Sequence, residues 1–567
     1  MIWEQKQNVN PATVEKLKQS LNITTSLAVL LVQRDVNHFD DAKQFFRPNL
    51  EDLHDPFLMK DMHKAVERIE NAIAQKEHIL VYGDYDVDGT TSVALVYSYL
   101  KAFYPHVSAY IPDRYKEGYG LSYAGIDYAE DNNATLIICL DCGIKAIDKV
   151  EYANNKNIEI IICDHHRPGE DVPKATAILN PKQNSCDYPF KELCGCGIGF
   201  KLIQALQIFS KKPLENIWNY LDLVATAIGS DIVPINGENR ILAFHGLKIL
   251  NTNPRPGFKA ILFNTKKEEL TITDVVFIIG PRINAAGRMK HGLHAVELLI
   301  EQDLEKAIEF SKAIEVFNTD RRSTDKEITQ EALLQIEELN EQHRKTTVVY
   351  QEHWHKGVIG IVASRLTETY YRPTLVFTKS GNVLAASARS VHGFDVYNAI
   401  EKCADVVEQF GGHTYAAGLT LKEENYLKFK ERFETVVSKT ISPESLTKRL
   451  VFDLKISLEE ITPKFFRILK QFAPFGPQNM KPVFRINGLQ DTGYARAVGK
   501  DNEHLKCKLF YGENPFKVDA IGFGLGEKLD LLQNRQKVDI LCNIDENEWN
   551  GQKSLQFILK DIKTSEE

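Results

Sequence analysis

Three aspartates at every second position, Asp84, Asp86 and Asp88, follow a short apolar run in Val81-Tyr82-Gly83-Asp84-Tyr85-Asp86-Val87-Asp88-Gly89. Carboxylates this close repel one another, and burying them without compensation is costly. Hard divalent cations remove that cost, since Mg²⁺ and Mn²⁺ prefer oxygen ligands. A calcium loop would need a distal Glu that is missing here, and a strand end is a poor place for a merely solvated acidic turn. The pattern recurs. Asp141 follows the apolar run 136–140, Asp164-His165-His166 follows 160–163, and Asp231 follows the helix-like stretch 221–228. Taken singly, Asp141 or Asp231 could equally cap a helix. Beside the triple-aspartate turn they become candidate ligands, and the His165 imidazole tilts the preference from Mg²⁺ towards Mn²⁺.

These acids can meet only if the elements before them converge. Short apolar runs at 78–82, 107–111, 136–140, 158–163 and 175–179 alternate with helical patterns, as buried strands of a parallel sheet do. That alternation predicts a doubly wound α/β domain, with ligands bound beyond the carboxyl ends of the strands. A helix is expected over 91–103. Gly195-Cys196-Gly197-Ile198-Gly199 superficially matches a dinucleotide fingerprint, but it follows no strand and lacks the third glycine, so it is read as a tight entry into a helix over 200–209.

Further along, 295–342 is charged and helix-favouring, a connector. Strand-like runs at 346–350, 374–378, 383–387 and 416–421, with helices at 359–370, 395–409 and 424–439, predict a second, smaller α/β domain. The tail carries short strands with turns at Gly488, Gly493, Gly499, Gly512 and Gly551, which suits a small β-barrel. The expected domains are a helical lead-in over 1–50, a catalytic domain over 51–292, a connector over 293–345, a substrate domain over 346–445 and a barrel over 446–567.

Composition bounds the rest. Of 567 residues 43% are hydrophobic and 26% charged, the balance of a folded globular chain, and no stretch nears the roughly 18 to 20 apolar residues of a membrane span. Nine cysteines, an odd and sparse set, point to free thiols in a reducing cytoplasm. The net charge of −8 excludes a uniformly basic nucleic-acid coating but not a local basic channel. Residues 461–500 form such a stretch: Lys464, Arg467, Lys470, Lys481, Arg485, Arg496 and Lys500 against Asp491, with Phe465, Phe466, Phe472, Phe475, Phe484 and Tyr494 interleaved. Aromatics beside a basic groove hold single strands in barrels of this type, although burial should claim about four of the six.

The motifs Asp84-Tyr85-Asp86-Val87-Asp88-Gly89, Asp141-Cys142-Gly143, Asp164-His165-His166 and Ser230-Asp231 resemble, in order, those of the DHH phosphoesterase superfamily. The segments 111–120, 280–288, 354–365, 387–390, 411–413 and 474–477 are similar to its RecJ exonuclease family. The resemblance implies a DHH domain, a connecting helix, a DHHA1 domain and an OB-fold barrel. It also implies 5′-to-3′ hydrolysis of single-stranded DNA to mononucleotides in DNA repair and recombination, with two ions, Mn²⁺ or Mg²⁺, held by Asp84, Asp86, Asp88, Asp141, His165 and Asp231. By the same resemblance Asp141, His165, His166 and Asp231 are catalytic, His166 either acting on the substrate side as a general acid or orienting a neighbouring ligand. Ser387, Arg389 and Arg114 would form a 5′-phosphate pocket, Arg282 and Arg288 would line the strand path unless one of them pairs with an acid, and His413 would contact a phosphate. A cytoplasmic monomer is expected, acting with a RecQ-type helicase and a single-stranded-DNA-binding protein. Two rivals remain: a small-substrate phosphodiesterase, against which the barrel tail speaks, and an inactive scaffold, against which the full set of acids speaks.

Overall fold

A computed structural model describes every residue except Asn8, Lys266, Asn514, Pro515, Asn534, Arg535, Asn550, Glu566 and Glu567. The chain forms two compact units, residues 54–231 with 245–448, and residues 1–53 with 232–244 and 449–567.

In the first unit, strands β1 (His78–Gly83), β2 (Val107–Tyr110), β3 (Ala134–Leu140), β4 (Glu159–Cys163) and β5 (Ala177–Leu179) pair in parallel in the order β2-β1-β3-β4-β5. Leu80, Ile137, Cys139, Ile160 and Ile162 are buried in the core on one face. The strand order reverses between β1 and β3, which opens a crevice at their carboxyl ends. Helix α1 (Val87–Lys101) begins earlier than the pattern predicts, because the Asp86 side chain caps it by accepting from the Gly89 N–H at 3.1 Å. Asp88 thus sits in a helical first turn, where the positive end of the helix favours an acid. Helices α2 (Gly195–Phe209), α3 (Leu221–Ser230) and α4 (Gly280–Met289) follow. The connector is two helices, Leu293–Ile300 and α5 (Leu304–Glu338), broken where Asp303 caps the second by accepting from the Lys306 N–H.

A second sheet in this unit has strands β6 (Thr347–Tyr350), β7 (Thr374–Ser380), β8 (Val383–Arg389), β9 (Gln409–His413) and β10 (Ala416–Leu421), ordered β9-β10-β8-β7-β6. Helix α6 (Ile359–Tyr370) packs on it. The helix expected over 395–409 stops at Glu401. Residues 409–413 instead form a hairpin with β10, pairing His413 with Ala416 and Gln409 with Thr420.

In the second unit a seven-stranded sheet closes where Phe484–Asp491 pairs with both Val538–Trp549 and His504–Phe510. The lead-in helices Pro11–Leu21, Thr25–Val32 and Phe39–Phe46 contribute Leu17, Leu27, Leu30, Leu31 and Phe45 to the same core. Phe465, Phe472 and Phe484 are buried there, Phe466 and Phe475 pack partly against it, and Tyr494 stays exposed beneath Arg496. The basic stretch is partly neutralised: Arg485 pairs with Asp539, Lys481 with Asp545 and Lys470 with Glu546. Arg240, 4% exposed, stacks 3.9 Å from the Phe45 ring and donates to the carbonyls of Phe45, Phe472, Ala473 and Pro474. Among the described residues no helix is long and apolar enough to cross a membrane.

Candidate active site

The strand ends deliver the acids to one rim. β1 hands the chain to Asp84, which is buried; its Oδ1 accepts from the Gly120 N–H at 3.2 Å. Asp88 accepts at both oxygens from the first turn of α2, from Gly195 at 2.6 Å and Cys196 at 2.7 Å. Asp141 follows β3 with φ of 59°, and its Oδ1 lies 3.2 Å from His165 Nε2. The same nitrogen lies 3.7 Å from Asp88 Oδ2 and 3.6 Å from Asp231 Oδ2. Asp231 ends α3, and the β-branched Ile232 after it is held at φ of 59°, a conformation such residues rarely adopt. Asp86 lines the cleft in front of His165.

The charges in this cluster are not balanced by the protein. Burial, then the neighbouring carboxylates, push Asp88 up to about 7 and Asp231 up to about 8. Asp84 and Asp141 are raised well above the usual carboxylate range, again by burial first. Burial holds His165 down at about 3, the neutral form a ligand needs. Asp84 Oδ2, Asp141 Oδ1 and His165 Nδ1 are buried without a hydrogen-bond partner among the described residues. Two sets of ligand atoms, Asp88–His165–Asp231 and Asp141–His165–His166, each lie within 4.8 Å of one another. Orphaned oxygens and a neutral imidazole in this arrangement fit divalent cations of the Mn²⁺ or Mg²⁺ type.

Asp164 and His166 form a second layer of the rim. Asp164 is buried and accepts from the Ile144 N–H at 2.9 Å and the His166 N–H at 3.0 Å, and its Oδ1 lies 2.8 Å from His166 Nδ1. Burial alone would depress His166, but the bond to Asp164 and the charges of Asp164, Asp231 and Asp88 raise it above the ordinary histidine value. Its Nε2 points to the cleft, 3.2 Å from Tyr119 Oη. The cleft holds about 1040 Å³, and Gly412, His413 and Tyr415 of the β9–β10 hairpin line it together with His165, His166 and Lys182.

A smaller pocket of about 260 Å³ is lined by Arg114, Arg288, Lys356, Ser387, Arg389 and the first turn of α6, with no carboxylate in its lining. Burial, then Arg114, Arg321 and Arg389, hold Arg288 down at about 10. Arg389 Nη1 donates to Ser387 Oγ at 3.2 Å, and Arg114 lies 4.7 Å over the Tyr85 ring. Guanidinium groups crowded without an acid, beside a helix N-terminus, suit a phosphate.

Arg282 is the one predicted substrate residue found elsewhere. Its Nε donates to Glu315 at 2.6 Å and its Nη1 to the Ile278 carbonyl at 2.7 Å, in a separate pocket with Phe263 and Lys312. The acid that claims it comes from the connector helix, which sequence spacing could not place. Sequence reasoning also passed over Asp164, Tyr119, Lys182 and the α2 backbone as site residues. The first two stand inside the quoted motifs, whereas Lys182 and the backbone N–H groups left no signal.

Three family models match the chain: "DHH family, N-terminal domain" over residues 78–228, "DHHA1 domain" over 344–439 and "RecJ OB domain" over 452–561. The single-stranded-DNA-specific exonuclease RecJ of Bacillus subtilis is 35% identical over 572 residues, covering 100% of this chain and 71% of the relative. The Escherichia coli protein of that name is 33% identical over 527 residues, covering 89% and 90%. Among solved structures, RecJ of Thermus thermophilus in complex with Mn²⁺ superposes with a TM-score of 0.85 at 25% identity, covering 100% of this chain and 80% of that one. An exonuclease RecJ bound to manganese gives 0.60 at 29% identity, covering 68% and 96%.

Proposed function

The chain belongs to the RecJ family of single-stranded-DNA-specific exonucleases, and from that premise we propose that it hydrolyses single-stranded DNA from a phosphorylated 5′ end and releases 5′-mononucleotides. The observation that carries the reading is the pairing of two opposite sites in one unit, an acidic cluster short of positive charge and an arginine pocket short of negative charge. Asp84, Asp86, Asp88, Asp141, His165 and Asp231 would hold two divalent ions, which when bound supply Lewis acidity towards a phosphodiester and a means of activating water. Asp88, Asp141 and Asp231 each bring an oxygen within 3.7 Å of His165 Nε2, and the N-terminus of α2 fixes Asp88. His166, turned by Asp164, holds a proton at Nε2 towards the cleft, where it can bond a phosphate oxygen or the leaving oxygen. Ser387, Arg389, Arg114 and Arg288 bind the terminal phosphate, whose extra charge distinguishes an end from an internal linkage. His413, which lines the same cleft, would contact the strand. In the cell, a RecQ-type helicase and a single-stranded-DNA-binding protein would present such a strand.

The test is a labelled 5′-phosphorylated DNA strand compared with short oligoribonucleotides, with Mn²⁺, for the wild type and Asp141→Ala. The wild type should release mononucleotides from the long DNA, and Asp141→Ala should lose hydrolysis while still retaining the strand in a binding assay. Preference for the oligoribonucleotides, or a fully active Asp141→Ala, refutes the reading.

A further inference from the structure

The loop that follows β2 serves both sites. Near its start Arg114 lines the arginine pocket, and near its end Tyr119 lines the cleft while the Gly120 N–H holds Asp84. The loop has no helix or strand of its own, and such segments are ordinarily the mobile ones. Here a single carboxylate gathers it. Glu117 Oε1 accepts from the Asp113 N–H at 2.7 Å and from Tyr110 Oη at 3.1 Å. Glu117 Oε2 accepts from Ser122 Oγ at 2.6 Å and from Tyr110 Oη at 3.0 Å.

The donors come from β2 and from both ends of the loop, so the carboxylate closes it like a clasp. Its footing is rigid. Tyr110 is the cross-strand neighbour of Tyr82 on β1, their rings stack at 5.3 Å, and Tyr82 Oη donates to the Gly120 carbonyl at 2.8 Å. Gly118 and Gly120, at φ of 87° and 78°, let the backbone double back around the carboxylate. On its outer side Tyr115 Oη donates to the Arg288 carbonyl, and Arg288 Nη1 donates to the Gly357 carbonyl at 2.9 Å, beside the pocket that holds Ser387 and Arg389.

We propose that Glu117 is a positioning residue that fixes Arg114 in the terminal-phosphate pocket relative to the acidic cluster, and so sets the preference for a phosphorylated 5′ end. The inference rests on the 5′-end reading proposed above. Glu117 reaches neither pocket itself and acts only through the loop.

The experiment measures kcat and KM separately, with Mn²⁺, on one DNA strand carrying either a 5′-phosphate or a 5′-hydroxyl, for the wild type, Glu117→Ala, Glu117→Gln and Tyr110→Phe. Displacing a positioned group by about 1 Å can cost on the order of 100-fold. The phosphate-to-hydroxyl ratio of kcat/KM should therefore fall at least about tenfold in Glu117→Ala, mainly through KM for the phosphorylated strand. Glu117→Gln keeps an acceptor for the Asp113 N–H and should recover part of the ratio. Tyr110→Phe removes two of the four contacts and should fall between wild type and Glu117→Ala. Equal losses on both strands would indicate a merely structural role and overturn the inference, as would an unchanged ratio in Glu117→Gln and Tyr110→Phe should Glu117→Ala fail to fold. A wild type indifferent to the 5′-phosphate would overturn the end-recognition reading itself, a distinguishable result.

Discussion

Alanine at Gly195 would place its methyl carbon 2.6 Å from Asp141 Cβ and 2.9 Å from both the Cα and Oδ1 of that residue. Carbon atoms in contact stand about 3.5–4.0 Å apart, so the first turn of α2 and Asp141 must separate by about 1 Å. Neither moves freely. Asp141 already has φ of 59° and donates its N–H to the Cys163 carbonyl at 2.8 Å, while the Gly195 N–H is committed to Asp88. Overpacking of this kind costs about 1–3 kcal/mol, which a folded domain survives with a Tm lowered by a few degrees. Catalysis is less tolerant, because a 1 Å shift in aligned groups costs on the order of 100-fold. Gly195→Ala should therefore fold, bind Mn²⁺ more weakly and lose about 100-fold in kcat on single-stranded DNA, measured by steady-state hydrolysis with calorimetric Mn²⁺ titration and a melting curve in parallel. Gly197→Ala is the control: its nearest neighbour is the flexible end of Leu193 at 3.3 Å, so it should stay within about threefold of wild type. If the two variants behave alike, the claim that α2 fixes Asp88 and Asp141 is wrong.

Asp164→Asn removes the charge that holds His166 Nδ1, and should lower kcat by about 10- to 100-fold with a smaller change in KM, read from steady-state rates. Arg240→Met removes the guanidinium donors to the carbonyls of Phe45 and Ala473, and at about 1–3 kcal/mol for each buried acceptor left unpaired should cost about 4 kcal/mol in urea unfolding. Burial pushes the Glu434 carboxyl up, but donors from Thr346, Lys345 and Ser438 outweigh it and leave Glu434 below the ordinary value. A carboxyl depressed in the folded state adds stability above its unfolded pKa and loses it as pH falls through the folded one. Melting curves between neutral and acid pH should thus fall less steeply for Glu434→Gln than for wild type.

What the sequence disclosed was governed by local rules. A strand buried on both faces is written as an unbroken apolar run, and the acid that follows Gly83, Leu140 or Cys163 marks where it leaves the sheet. Parallel pairing then brings those ends together without any need to know the helices. α1 starts ahead of its apolar pattern because the cap lies inside the acidic motif: Asp86 carries a charge and also accepts from the Gly89 N–H. The hairpin at 409–413 escaped because its pairing partner, 416–420, decides its conformation more than its own composition does. The Gly195-Cys196-Gly197 stretch opens a helix, as its pattern suggests, yet what it does for Asp88 is performed by main-chain N–H groups of residues more than a hundred positions away. Backbone donors have no residue type to read.

Net charge was the least informative number, and the two sites explain why. At −8 the chain looks unsuited to a polyanion, but the substrate meets charges that are sorted rather than summed. On one side Asp84, Asp88 and Asp141 are buried beside the half-buried Asp231, and all four are pushed towards the neutral form. On the other the half-buried Arg288 and Arg389 are held below their ordinary values, with Arg114 beside them. Each set is unfavourable alone, and each is relieved by a partner of opposite sign: cations for the carboxylates, a phosphate for the guanidinium groups. A terminal phosphate seated among the arginines and an adjacent phosphodiester drawn to the ion-loaded cluster would satisfy both sets with one molecule. On the 5′-end reading proposed above, a strand without a charged end would satisfy only one of the two sets.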